Sequence, residues 1–265
     1  MILFGGIVGI IAQEETNDAK QTKSRVVAPD NGSDSLALSG CRGGITWSKK
    51  EEVRIGQEIA AEVEKTYRLD PDPSVQQRVQ LIGQRLVAFA GDKDFKYAFK
   101  VLSGKEINAF ALPGGPIYVF RGLVDAVGED DDMLACVLGH EMAHINRRHA
   151  NKQYTKGLWA SVLISLGTKG KVSDIAEITS ALLVLKYSRQ EEYEADRLGI
   201  EYSYKAGYDP NGILRFFELL KAKEKGGNEG ILANLRTHPL TENRIWRARQ
   251  HIEQITGQPA QGGKP

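Results

Sequence analysis

Apolar and polar residues follow distinct rhythms along this chain, and each rhythm predicts an element. Residues 1–12, MILFGGIVGIIA, form a continuous apolar run. From Gln13 to about Gly44 the chain is polar and rich in Gly, Ser and Asp, which predicts a disordered leader. Order is expected to begin near Thr46. Ser48 then precedes KKEEVRIGQEIAAEVEKTY, whose apolar residues recur at helical spacing behind an N-cap. Pro71 and Pro73 interrupt the chain, and SVQQRVQLIGQRLVAFA reads as a second amphipathic helix. The period then changes. YAFKVLSGKEINAFALPGGPIYVF has β-branched and aromatic residues in short runs split by Ser-Gly and Pro-Gly-Gly turns, a small strand and hairpin unit. GEDDDMLACVLGHEMAHINRRHA (128–150) follows as one long helix, with acids at its start and Arg147, Arg148 and His149 near its end. That polarity suits the helix dipole, so the acidic run needs no calcium to explain it. Further helices are expected at about 153–166, 174–204, 211–224 and 241–255, with loops at Gly207, Pro210 and Gly226-Gly227. The reading is a mainly helical α+β domain with one small sheet over residues 46–256, preceded by a leader (1–45) and followed by a disordered tail (257–265).

Composition narrows this little. Of 265 residues 41% are hydrophobic and 26% charged, and 35 basic against 34 acidic residues leave a net charge of +1. That balance gives no electrostatic case for nucleic acid. The two cysteines, Cys41 and Cys136, form no Cys-x-x-Cys pair, which excludes a cysteine-rich zinc finger and a dithiol redox motif. Leu38-Ser39-Gly40-Cys41 has the outline of a lipoprotein cleavage box, but the residues before it are polar. The opening run is too short to span a bilayer, which needs about 20 residues. It has the length of a signal-peptide apolar core without a basic start, so an extracytoplasmic location is expected. LWASVLISLG (158–167) and IAEITSALLVL (175–185) are short and broken by polar residues, and read as buried helices.

The chemistry enters at VLGHEMAHI. His140 and His144, one turn apart, fall on one helix face and can offer imidazole nitrogens to a single ion. Glu141 is displaced by about 100°. It is poorly placed to share the coordination sphere but can reach a water on the metal. The apolar flanks predict a buried helix, and buried histidines need partners. A catalytic zinc takes three protein ligands and keeps one position open. The extended metzincin motif is absent, because Arg147 and Ala150 stand where it requires Gly and His. The third ligand therefore lies elsewhere, and SRQEEYEADRLG (188–199) offers Glu191, Glu192 and Glu194. Ser188, Glu192, Ala195, Asp196 and Gly199 share one helix face. Ala195 and Gly199 let that face press close to another helix. Glu192 is then the carboxylate best placed for the metal, Asp196 can accept the second N–H of a ligand histidine, and Glu191 and Glu194 face solvent.

Four blocks, INAFALPGGPIYVFRGL (107–123), LGHEMAHINRRHA (138–150), SRQEEYEADRLG (188–199) and THPLTENRI (237–245), give the chain a close resemblance to metallopeptidase family 48. That family contains HtpX, the CAAX prenyl proteases and the Oma-type proteases, and the resemblance is strongest to its soluble bacterial branch with BepA and LoiP. It spans about residues 46–255. It implies a gluzincin peptidase binding one Zn2+ per chain through His140, His144 and Glu192, with Glu141 as general base and polypeptides as substrates, including misassembled, membrane-proximal or outer-membrane proteins. By themselves, His238 reads equally as a loop residue before a helix capped by Thr241, and Arg244 as a surface ion pair. The resemblance implies that His238 lies near the metal, in some relatives as a removable fourth ligand, and makes both residues candidate oxyanion donors. Asn108, Ala109, Phe110, Ala111 and Leu112 form the expected edge strand, to which an extended peptide can add by backbone hydrogen bonds. Two other readings stay open: a chaperone-like module with a closed, latent zinc site, and a metal hydrolase acting on something other than peptides.

Overall fold

A computed structural model describes residues 47–155, 184–225 and 237–261. Its elements, in chain order, are α1 (Lys49–Thr66), α2 (Pro73–Ala90), β1 (Ala98–Leu102), β2 (Ala109–Ala111), β3 (Pro116–Phe120), α3 (Arg121–Val127), α4 (Asp131–Asn146), α5 (His149–Thr155), α6 (Arg189–Lys205), α7 (Gly212–Lys225) and α8 (Glu242–Thr256). The fold is predominantly helical with one small open sheet beside the helix that carries both motif histidines.

Local chemistry sets the helix starts. Ser48 caps α1 and Ser188 caps α6, each in a reciprocal capping box with the glutamate three residues on, Glu51 and Glu191. Asp72 caps α2 ahead of Pro73, Asp130 caps α4 and Thr241 caps α8. The sheet runs β1-β3-β2, with β1 parallel and β2 antiparallel to β3. The β2–β3 turn uses Gly114 at φ 74°, where a Cβ would also stand 2.4 Å from the Val53 Cα. β2 is an edge. Leu112 N–H donates to Pro116 O at 2.8 Å and Phe120 N–H to Asn108 O at 3.0 Å. Antiparallel alternation then turns the N–H and C=O groups of Ala109 and Ala111 away from β3.

α4 is the axis of the core, with every residue from Leu134 to Ile145 buried. It meets α6 at a glycine crossing. A Cβ on Gly139 would lie 2.8 Å from Gly199 O, and one on Gly199 only 2.6 Å from His140 N. The helix backbones touch there, which brings Glu192 and Asp196 of α6 to the histidines of α4. Gly199→Ala therefore sets two effects against each other. Helix propensity favours alanine by about 0.8–1 kcal/mol. The new methyl meets backbone, which no rotamer change relieves, and overpacking costs about 1–3 kcal/mol. With backbone contacts this close the clash belongs at the upper end of that range, so the expected net is a destabilisation of about 1–2 kcal/mol, read from the urea midpoint; an unchanged or raised midpoint means the crossing is looser than described.

Several expectations need correction. The helix over 128–150 is two helices, because α4 ends at Asn146 and Arg148 adopts a left-handed φ of 56°. The helix over 174–204 is interrupted, since residues 184–188 are non-helical and α6 starts at Arg189. Of the tail, residues 257–261 are described, and Gln261 N–H donates to Asn211 Oδ1 at 2.7 Å. The leader and the apolar segments 158–167 and 175–183 fall outside the described residues. No helix among the described residues is long and apolar enough to cross a membrane.

Candidate metal centre

Three helices and one loop converge on the motif. α4 supplies His140, Glu141 and His144, α6 supplies Glu192 and Asp196, α8 supplies Arg244, and the segment before α8 supplies His238. All seven are buried. His144 Nε2 lies 3.0 Å from His140 Nε2, His238 Nδ1 lies 3.3 Å from His140 Nε2, and Glu192 Oε1 lies 2.9 Å from His238 Nδ1. One donor atom from each of His140, His144, Glu192 and His238 falls within 4.8 Å of all the others.

The proton inventory tests whether a cation fits. His140 Nδ1 stands 3.0 Å from Asp196 Oδ1 without an aligned hydrogen bond; a proton on Nδ1, facing that carboxylate, leaves Nε2 with a lone pair turned inward. His144 Nδ1 faces His149 Nδ1 at 2.9 Å, and with the shared proton on His144 its Nε2 also turns a lone pair inward. Glu192 Oε2 is buried without an aligned hydrogen bond, although Arg244 Nη1 stands 2.8 Å away. Lone pairs and a carboxylate converging in a buried space repel one another unless a cation holds them. Imidazole nitrogens with one carboxylate are a donor set that suits zinc. The cluster is able to coordinate a metal ion.

Charges in the surrounding side chains are matched. Burial pushes the Asp196 carboxyl up, but the Arg244 charge and its hydrogen bonds outweigh burial and hold it well below the usual carboxylate range. Burial likewise raises Glu192, and the charges of His238 and Arg244 overcome it and lower it. Burial lowers His144 well below an ordinary histidine, and the neighbouring His140 and His238 add to this. Burial also disfavours charge on His238, but Glu192 and Glu141 outweigh it and raise its pKa. His238 Nε2 lies 3.7 Å from Glu141 Oε1.

The structure brings His140, Glu141, His144, Glu192, Asp196, His238 and Arg244 together. Arg244 is not an exposed ion pair. Its Nε and Nη2 grip both oxygens of Asp196 at 2.7 Å, and its Nη1 donates to the His238 and Pro239 carbonyls at 3.1 and 3.2 Å. Most of its N–H groups are thereby engaged by Asp196 and the two carbonyls, while its side chain also lines the pocket that holds Glu141 and His238. Of the edge segment, Ala109, Phe110 and Leu112 are buried side chains, with Phe110 stacked on Tyr118; Ala111 is half-buried. Asn108 is buried, with Oδ1 lacking a hydrogen bond among the described residues. A small pocket lined by Ala111, Leu112, His144 and Tyr187 joins this edge to α4. An apolar pocket lined by Ile213, Phe216, Phe217, Leu220 and Leu240 opens against Glu141 and His238.

Glu191 does not face solvent as expected. It is buried, closing the α6 cap and accepting from Gln153. Glu194, also expected in solvent, is held by Arg147 and His149. Two residues near the site were not singled out from the sequence. Tyr187 stacks on the His144 ring at 4.0 Å, and His149 sits behind it. Tyr187 carried no sequence signal. His149 stood within the motif block, but on a continuous helix it would point away.

Comparison with known proteins follows the same geography. The profile described as peptidase family M48 matches residues 73–252. Over 237 residues the chain is 28% identical to the beta-barrel assembly-enhancing protease of Escherichia coli (strain K12), covering 84% of this chain and 48% of that protein. It is 33% identical over 202 residues to the mitochondrial metalloendopeptidase OMA1 of Schizosaccharomyces pombe, 73% of this chain and 59% of that one. Against OMA1 of Arabidopsis thaliana it is 37% identical over 139 residues, 52% of this chain and 28% of that protein. The chain thus spans about half the length of the bacterial relatives it matches.

Proposed function

The chain belongs to peptidase family M48, and from that premise we propose that residues 46–256 are a zinc-dependent endopeptidase acting on unfolded or misassembled proteins. The observation that carries this reading is the buried cluster of His140, His144, Glu192 and His238 with Glu141 beside it. His140, His144 and Glu192 would hold the metal, one per chain. Zinc, when bound, supplies a Lewis acid and a water of lowered pKa. Glu141 accepts a proton from the attacking water on its carboxylate and passes it to the leaving amine nitrogen. His238, with Nε2 turned toward Glu141, donates toward the oxygen that gains charge. Asp196 fixes the His140 ring, and Arg244 fixes Asp196.

The outward N–H and C=O groups of Ala109 and Ala111 offer an extended peptide an edge to join. Main-chain recognition of this kind reads few side chains and suits unfolded polypeptides. The apolar pocket beside Glu141 gives that carboxylate a largely apolar surrounding. Relatives named for β-barrel assembly support outer-membrane proteins as the substrate class and an extracytoplasmic setting.

The membership of His238 in the ligand cluster favours a second reading, a latent state in which His238 closes the coordination sphere. One experiment addresses both. Purified full chain is stripped with a chelator and titrated with zinc while casein hydrolysis is followed. Hydrolysis is expected to vanish on stripping and return at one zinc per chain. Hydrolysis that survives stripping defeats the peptidase mechanism. X-ray absorption of the loaded protein separates the two states, with two imidazoles in the open site and three in the closed one.

A further inference from the structure

A helix continued past Asn146 would turn residue 149 about 140° away from His144, five residues on at about 100° each. The chain does otherwise. At Arg148 it takes the left-handed turn, an uncommon conformation for a residue with a Cβ. Arg148 is held in it from outside: its Nε donates to Glu52 Oε1 at 2.7 Å, its Nη2 reaches the Trp47 carbonyl, and Asn151 donates to the same Glu52. The turn folds His149 back beneath α4, where its side chain is 0% exposed. Its Nδ1 lies 2.9 Å from His144 Nδ1 and its Nε2 lies 3.3 Å from Glu194 Oε2. The other oxygen of Glu194 is 2.6 Å from Arg147 Nε.

From this geometry we propose that His149 is a positioning residue for the metal ligand His144, and that Glu194 in turn positions His149. The inference rests on the reading of His144 as a ligand. Two nitrogens 2.9 Å apart share one proton. A His144 that gives Nε2 to a metal carries its proton on Nδ1, so His149 Nδ1 accepts. His149 then holds its own proton on Nε2, and Glu194 accepts that one. A ligand imidazole usually donates directly to a carboxylate or carbonyl. For His140 the group nearest Nδ1 is a carboxylate, Asp196 Oδ1 at 3.0 Å. His144 has a second imidazole interposed, and its carboxylate stands one group further out. The two ligand histidines are therefore anchored differently: His140 to the core through Asp196 and Arg244, His144 toward the surface through Glu194 and Arg147, which are 30% and 44% exposed.

The test is zinc affinity of the full chain, measured by competition with a chromophoric chelator. His149→Phe fills the space but cannot accept a proton, and is expected to weaken zinc binding about 10–100-fold. His149→Asn puts an acceptor oxygen near the place of Nδ1 and is expected to stay within about threefold of wild type. Glu194→Leu, at a half-buried position that tolerates change, is expected to weaken binding roughly 3–10-fold even if the phenylalanine variant fails to fold. Imidazole 15N shifts of the zinc-loaded protein should report His149 protonated on Nε2 and bare on Nδ1. Wild-type affinity in both His149→Phe and Glu194→Leu overturns the proposal. So does an asparagine variant as weak as the phenylalanine one, or the opposite tautomer. A wild-type chain that takes up no zinc overturns the metal reading itself, a distinguishable failure.

Discussion

Glu141→Gln is expected to lower kcat for casein hydrolysis by about 10²–10⁴-fold while leaving one zinc per chain. Glu141 is 1% exposed on the central helix, beside the ligand cluster and opposite His238 Nε2. Glutamine has the same size and reach, so packing and the ligands survive. It cannot take up a proton, and that is the function proposed for this position. Zinc stoichiometry on the same sample separates loss of the base from loss of the metal. A variant that keeps its zinc and hydrolyses casein within a few-fold of wild type would remove Glu141 from the mechanism.

Arg244→Met is expected to destabilise the protein by about 3–5 kcal/mol, the usual cost of removing one partner of a buried ion pair. Methionine fills much of the volume, so the effect is charge rather than a cavity. Asp196 and Glu192 would be left as two buried carboxylates without the cation that now lies within 2.8 Å of both. The His238 and Pro239 carbonyls would also lose their donor. Urea unfolding reads the effect directly; a loss under about 1 kcal/mol would mean the pair contributes little, as exposed pairs do. The wild-type pH profile should carry the same signature. The Asp196 pKa is depressed in the folded state. Its stabilisation is therefore fully present above the ordinary aspartate pKa of about 3.9 and is lost progressively as pH falls below that value toward the folded one. The methionine variant, with the depression removed, should lose less stability over that pH interval.

These two residues illustrate how far a sequence reading reaches. Glu141 was legible from its neighbours alone, because a helix places residues by a fixed local period. Glu192 was legible for a similar reason. Only one face of 188–199 is small enough to press against another helix, and Ala195 and Gly199 mark it. The caps at Ser48 and Ser188 and the hairpin turn at Pro113-Gly114-Gly115 are also local, and the sequence predicts them. Arg244 was legible only as a candidate. Whether it meets water, substrate or Asp196 depends on how α8 packs on α6, and no spacing along the chain encodes that.

By itself, then, the sequence determined the helical α+β class, the pair of motif histidines, the glutamate beside them and the face carrying Glu192 and Asp196. Each follows from periodicity within one element. Tertiary structure alone decided what joins those elements. It buried Glu191, gave Arg244 to Asp196 and Glu192, stacked Tyr187 on His144, and broke the motif helix at Arg148 so that His149 returns beneath it. That break is fixed by Glu52 and the Trp47 carbonyl, roughly a hundred residues away in the chain. A backbone turn held by such distant partners leaves no local pattern to read, because its energy comes from contacts that exist only once the chain has folded.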